Sequence, residues 1–176
     1  MTIKVELTPD DIESAEREAL RRQDYNTRAG LRGRNKAPSK GSGALELHRC
    51  GCKGEVAVAK LLGMEGFLFV DEKPVPGSPD LPCGIDVKTR PKHDYDMLVQ
   101  LKDLRSKRYV LATVEGSLAI VHGWLPGEDA MLDSYIKSYR AGRPCYAIPQ
   151  SKLLPMERLS SLLAEETQGL FGDLLV

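Results

Sequence analysis

No apolar run in the 176 residues approaches the roughly 20 needed to span a bilayer. The opening Met1-Thr2-Ile3-Lys4-Val5-Glu6 lacks the basic start and apolar stretch of a signal peptide. Both absences argue against a membrane protein and lead us to expect a cytoplasmic one. Cysteine is scarce: Cys50, Cys52, Cys83 and Cys145. Thiols are the expectation for so few in a reducing compartment. The chain has no glycine-rich phosphate loop, no nucleophile elbow and no dinucleotide fingerprint, so the usual sequence signals of nucleotide binding and serine hydrolysis are missing. Internal repeats are absent too.

Net charge is also missing, with 25 Lys/Arg against 25 Asp/Glu. That excludes a uniformly basic coat for nucleic acid but not a local one. Between Arg17 and Lys53 the bases outnumber the acids ten to three. This segment is either a basic face or a solvated charged loop. The hydrophobic fraction of 41% and charged fraction of 28% suit one folded domain with a sizeable core.

Thr8-Pro9-Asp10-Asp11 is a helix start: a capping hydroxyl, a proline at the first turn and acids at the positive end of the dipole. That helix is expected to reach about Arg22, with Ile12, Ala15, Ala19 and Leu20 as its apolar stripe. Tyr25 to Gly43 is rich in glycine, serine and bases and reads as a loop or flexible arm. A second helix should run from about Ala44 to Leu62, stopped by Gly63. Strands are expected at Phe67–Val70, Gly84–Thr89, Tyr109–Val114, Ser117–Trp124 and Cys145–Ile148. Helices are expected from Glu128 to about Tyr139 and from Pro155 to Gln168. The order implies an α/β or α+β domain: a central mixed sheet flanked by helices.

The chemistry-bearing stretch is Ser78-Pro79-Asp80-Leu81-Pro82-Cys83-Gly84-Ile85-Asp86-Val87-Lys88-Thr89. On a strand, Asp86 and Lys88 share one face about 7 Å apart, while Ile85 and Val87 point to the other. Pro82–Gly84 can reverse the chain and bring Asp80 back beside Asp86. Glu55 sits on the preceding helix, on or beside its apolar stripe. Phosphodiester cleavage calls for such groups. Carboxylates hold a hard divalent cation. The cation neutralises the phosphate and acidifies water, and a lysine stabilises charge in the transition state. The bland alternatives are a solvent-facing Asp-Lys pair on an edge strand, and a helix glutamate paired with Lys60 or Arg49. His48, Cys50, Cys52 and Cys83 could bind zinc, or the four cysteines a cluster, but the spacing favours buried small residues. His93, Asp94 and Asp96 fall in a polar turn that could reach substrate. Trp124 and Tyr109 suit core packing.

Pro79-Asp80 and Asp86-Val87-Lys88, preceded by Gly54-Glu55-Val56-Ala57, resemble the PD-(D/E)XK nuclease superfamily. The likeness is to its small single-domain members from bacteriophages and mobile elements, in which a Gly-Glu helix precedes an Asp…Gly-Ile-(Asp/Glu)-Val-(Lys/Arg)-Thr hairpin. His122-Gly123-Trp124-Leu125-Pro126-Gly127 is similar to a later segment of those proteins. The resemblance covers about Leu45 to Ala130. Only five residues separate Asp80 from Asp86, a shorter gap than is common in the broader superfamily.

What the resemblance implies is a sheet of about four strands and a nuclease site. Asp80, Asp86 and the Val87 carbonyl would hold Mg²⁺ or Mn²⁺, with Glu55 completing the metal site. Lys88 would be the catalytic lysine, and Gln100 would contact metal-bound water or DNA. The expected partner is DNA, with RNA possible and no membrane. Arg28, Arg32, Arg34, Lys36 and Lys40 are the expected phosphate contacts, and a homodimer could serve two strands. The alternative is a non-catalytic nucleic-acid-binding or phage accessory protein with the same fold.

Overall fold

The computed structural model describes residues 2–30, 42–69, 77–138 and 144–172. Strand β1 (Ile3–Glu6) leads into α1 (Pro9–Arg28) and α2 (Ser42–Leu62). Then follow β2 (Ile85–Arg90), β3 (Met97–Gln100), β4 (Arg108–Glu115) and β5 (Leu118–Pro126). A one-turn α3 (Gly127–Ala130), the short β6 (Ile136–Ser138), β7 (Pro144–Ile148) and α4 (Met156–Gly172) complete the order. The expected α+β architecture with a central mixed sheet is present.

The central sheet has the order β1-β5-β4-β2. β2 runs parallel to β4, and the other pairs are antiparallel. A second sheet, β3-β7-β6, is antiparallel and was not anticipated. Strand β4 is central, and its residues 109–114 are all buried, as expected for a strand covered on both faces. Its alternate residues split the core. Val110 and Ala112 join Ile85, Val87, Val58 and the α4 residues Met156 and Leu159. Tyr109 and Leu111 pack instead with Met97, Val99, Tyr146 and Ile148 of the second sheet. Helices thus cover one face of the central sheet and the second sheet covers the other.

Local chemistry sets the helices. The Thr8 hydroxyl accepts from the Asp11 N–H at 3.2 Å, and Asp11 accepts from the Thr8 N–H at 2.8 Å, a reciprocal cap. Lys60 donates to the same Asp11 at 2.6 Å, tying α2 to the start of α1. Helix α1 runs six residues past the expected end because the basic surplus from Arg21 onward is neutralised on the helices. Arg21 and Arg22 bond Glu18, and Arg28 pairs with Asp24. Of the expected stripe, Ala15 and Ala19 are buried, but Leu20 is exposed. Helix α2 lies so close to β2 that a Cβ on Gly54 would land on the Thr89 side chain.

Two expected elements are also replaced by other structure. Glu65–Phe67 is a 3₁₀ turn with Phe67 exposed, and Leu68 and Phe69 continue as a turn, so no strand starts there. Val70 lies outside the described residues. The Glu128–Tyr139 helix stops at Ala130; a 3₁₀ turn at Asp133–Tyr135 and β6 follow. Tyr135 packs against the second-sheet core, and Ile136 pairs with Tyr146, so tertiary pairing outweighs helical propensity there.

Gly54→Val should lower stability by about 1–3 kcal/mol through overpacking against Thr89. Gly51→Ala, whose Cβ meets nothing within 4 Å, should raise it by up to about 1 kcal/mol. Urea unfolding midpoints of the two variants would check both signs.

Candidate active site

The turn before β2 is built by backbone conformation. Cys83 and Gly84 both adopt positive φ, 58° and 71°, and Leu81 bridges to Ile85 across them. The Asp80 N–H donates to the Ile85 carbonyl at 2.9 Å, folding Asp80 back along the strand as expected. Its Oδ2 then accepts from the Val87 N–H at 2.7 Å. β2 is an edge strand, so this N–H has no neighbouring strand to bond, and the carboxylate satisfies it. The Val87 carbonyl lies on the same open edge, because a residue's N–H and C=O point to one side of a strand.

Asp86 and Lys88 share the face turned toward the second sheet. Lys88 Nζ is 2.6 Å from Asp86 Oδ1 and 2.7 Å from Asp103 Oδ2. It also lies over the Tyr109 ring, 5.0 Å from the centroid. Asp103 is itself oriented by the Gln100 N–H, at 3.1 Å. The other Asp86 oxygen, Oδ2, accepts from Lys107 Nζ at 2.5 Å. Lys107 is buried and donates further to the Ser78 carbonyl at 3.0 Å. Burial opposes the Lys88 charge, but Asp86 and Asp103 outweigh it and raise its pKa, so Lys88 stays protonated.

Helix α2 covers the opposite face of β2, the one bearing Val87 and Thr89. Glu55 therefore approaches Asp80 from the helix side and Asp86 from the sheet side. Both Glu55 oxygens accept from Arg22, each at 2.7 Å, and Arg22 also bonds the buried Glu18 at 2.7 Å. The partner of Glu55 is thus Arg22; Arg49 goes to Glu16 and Lys60 to Asp11. Burial is the largest influence on Glu55 and raises its pKa, Arg22 pulls it back, and Glu18 and Asp86 push it up again. Among the described residues Asp80 forms no ion pair, although the more distant Arg22 charge favours its ionised form. Burial first, then the charges of Glu55 and Asp86, push its carboxyl up to about 8.

The structure therefore brings Glu55, Asp80, Asp86, Val87 and Lys88 together around one strand edge. Gln100 ends β3 and reaches this centre through its backbone bond to Asp103. Arg28 is exposed on α1 beside Asp24, and Arg32, Arg34, Lys36 and Lys40 lie outside the described residues. Three members escaped the sequence reading: Arg22, Asp103 and Lys107. Asp103 and Lys107 sit in Lys102-Asp103-Leu104-Arg105-Ser106-Lys107-Arg108, which has the composition of a solvated turn. No local signal marks two of its charges as inward-facing.

Among the described residues, no three His, Cys, Asp or Glu side chains are grouped to hold a metal ion. The four cysteines are free thiols, Cys52 and Cys145 buried and Cys83 exposed. His93 Nδ1 lies 2.7 Å from the Thr113 hydroxyl, which lies 2.7 Å from His122 Nε2. Thr113 is level with Arg90, four residues and about 13 Å along β2 from Asp86. Trp124 and Tyr109 are buried, as expected.

A hydrated divalent ion needs one or two carboxylates, the remaining positions being water. Asp80 and Asp86 meet that need with hard oxygen donors. Asp80 lies buried beside the Glu55 and Asp86 carboxylates, a crowding of like charge that a cation would relieve. These two carboxylates are the donors that a divalent metal would use, although both Asp86 oxygens already face lysines. Comparison with known proteins finds no matching family model, no matching curated protein and no matching solved structure.

The Asp80 shift has a consequence for stability. A carboxyl whose folded pKa lies above its unfolded one stabilises the fold below the unfolded value and loses that contribution as pH rises through the folded one. In chelator the protein should melt higher at about pH 5 than at about pH 9, and Asp80→Asn should flatten that part of the difference. Thermal melts at both pH values would test this.

Proposed function

We propose that this chain is a metal-dependent nuclease that hydrolyses phosphodiester bonds of DNA. One observation carries the reading: Asp80, folded back by the Cys83–Gly84 turn, shares an open strand edge with Asp86 and Lys88. Asp80, Asp86 and the Val87 carbonyl would hold Mg²⁺ or Mn²⁺, which supplies charge neutralisation at phosphate and acidifies water.

The chain's own groups do the rest. Lys88 is held charged by Asp86 and Asp103, and its ammonium is positioned by two carboxylates and an aromatic face. A fixed cation of this kind stabilises a phosphorane-like transition state without reorganising. Glu55, clamped by the two terminal Arg22 nitrogens, contributes negative charge from the helix side and fixes α1 to α2. It supports the metal site through its field when Arg22 stays bound, and as a ligand only if Arg22 yields.

A second reading, a non-catalytic nucleic-acid-binding protein of the same fold, draws support from one fact. Both oxygens of Glu55 and both of Asp86 already have protein cations. DNA, rather than RNA, is the proposed substrate, with the basic segment around Arg28 as the phosphate contact. Among the described residues no helix is long and apolar enough to cross a membrane.

Single-stranded, double-stranded and branched DNA, with matched RNA, should be incubated with Mg²⁺ or Mn²⁺. Asp86→Asn is the sounder control: like Asp86→Ala it removes the counter-ion shared by two ammoniums, but it keeps the side-chain volume and one acceptor oxygen. Cleavage should require the metal and vanish in Asp86→Asn. Lys88→Met should lower kcat by about 10²–10³. Metal-independent binding without cleavage of any substrate would favour the second reading, and faster cleavage of RNA would redirect the substrate.

A further inference from the structure

Two lysines share Asp86, one on each oxygen, and they are not held alike. Lys88 is bonded by two carboxylates and lies over Tyr109. Lys107 has one carboxylate oxygen, Asp86 Oδ2, and one neutral carbonyl, Ser78 O. Those two oxygens come from separate segments, the strand and the chain just before Asp80, and they converge on a single buried ammonium. Oxygens that converge on an ammonium also suit a small hard cation. Lys107 is one residue before β4, and its flexible four-carbon stem lets the ammonium leave without moving the backbone.

We propose that the Lys107 ammonium occupies the cation position of Asp86, with the Ser78 carbonyl as an additional oxygen ligand there, and that a divalent ion binds by displacing it. The inference rests on the metal-dependent reading above and adds a competitor to it. The tethered cation keeps Asp86 neutralised when divalent ions are scarce. It sets the concentration at which they enter, because binding must replace the Lys107 ion pair. Once displaced, Lys107 remains near the site as a free positive charge for a phosphate. Lys88 does not exchange, since leaving would uncover both Asp86 and Asp103.

The test uses the full chain without DNA, titrated with Mn²⁺ and read by loss of the free-ion electron paramagnetic resonance signal. Lys107→Met should tighten Mn²⁺ binding by about tenfold or more over wild type. Asp86→Asn should remove it. Equal or weaker binding by Lys107→Met, with wild type binding normally, would overturn the displacement while leaving the metal-dependent reading intact. No binding by either protein would overturn both. A second measurement needs no variant. In protein with ¹⁵N-labelled lysine, the Lys107 ammonium resonance, protected from water exchange by burial, should vanish on saturation with Mg²⁺ while that of Lys88 persists. A Lys107 resonance that survives saturation overturns the proposal even if Lys107→Met does not fold.

Discussion

The Asp86 carboxylate is shared by the ammoniums of the half-buried Lys88 and the buried Lys107, and the charges on the second-sheet side of β2 are arranged around that sharing. A carboxylate and two lysines removed from water are costly unless each charge is matched. Asp103 matches Lys88, the Ser78 carbonyl accepts a hydrogen bond from Lys107, and the Gln100 N–H orients Asp103. The loop from Leu101 to Lys107 is thereby fixed against β2 although Leu101 and Leu104 face solvent. The charge network and the strand order reinforce each other: β4 lies beside β2 in parallel, so the residue before β4 starts level with the turn before β2.

A second network on the helix side obeys the same rule. Glu55 and Glu18 are buried on α2 and α1, and Arg22 bridges them. The two networks meet at Asp80, the only one of the three edge carboxylates whose described side-chain bond is to a backbone N–H alone. Burial, and then the charges of Glu55 and Asp86, push its carboxyl up, with the Val87 N–H and Arg22 only partly opposing them. In the metal-dependent reading proposed above, a site with two paired carboxylates and a third bonded only to a backbone N–H would accept a cation and is tolerable without one.

Much of this was legible in the sequence because it depends on local rules. Thr8 to Asp11 spelled a cap, Pro82 to Gly84 a reversal, and alternation put Asp86 and Lys88 on one face. The mixed sheet with flanking helices followed from the order of apolar segments. The misses share a cause. Phe67–Val70 has strand composition but no neighbour to pair with in its described part, and residues 131–138 have helical composition but meet β7. Arg22 and Lys107 look like ordinary surface bases, and only their partners, 33 and 21 residues away, show otherwise.

The sequence by itself determined the helix starts, the turn at Cys83 and Gly84, and the one-sided placement of Asp86 and Lys88, since each follows from backbone geometry over a few residues. The tertiary structure alone decided which charges face each other: Arg22 with Glu55, Lys107 with Asp86, Asp103 with Lys88. Coulomb energy and desolvation depend on distance and burial through space, and chain order specifies neither.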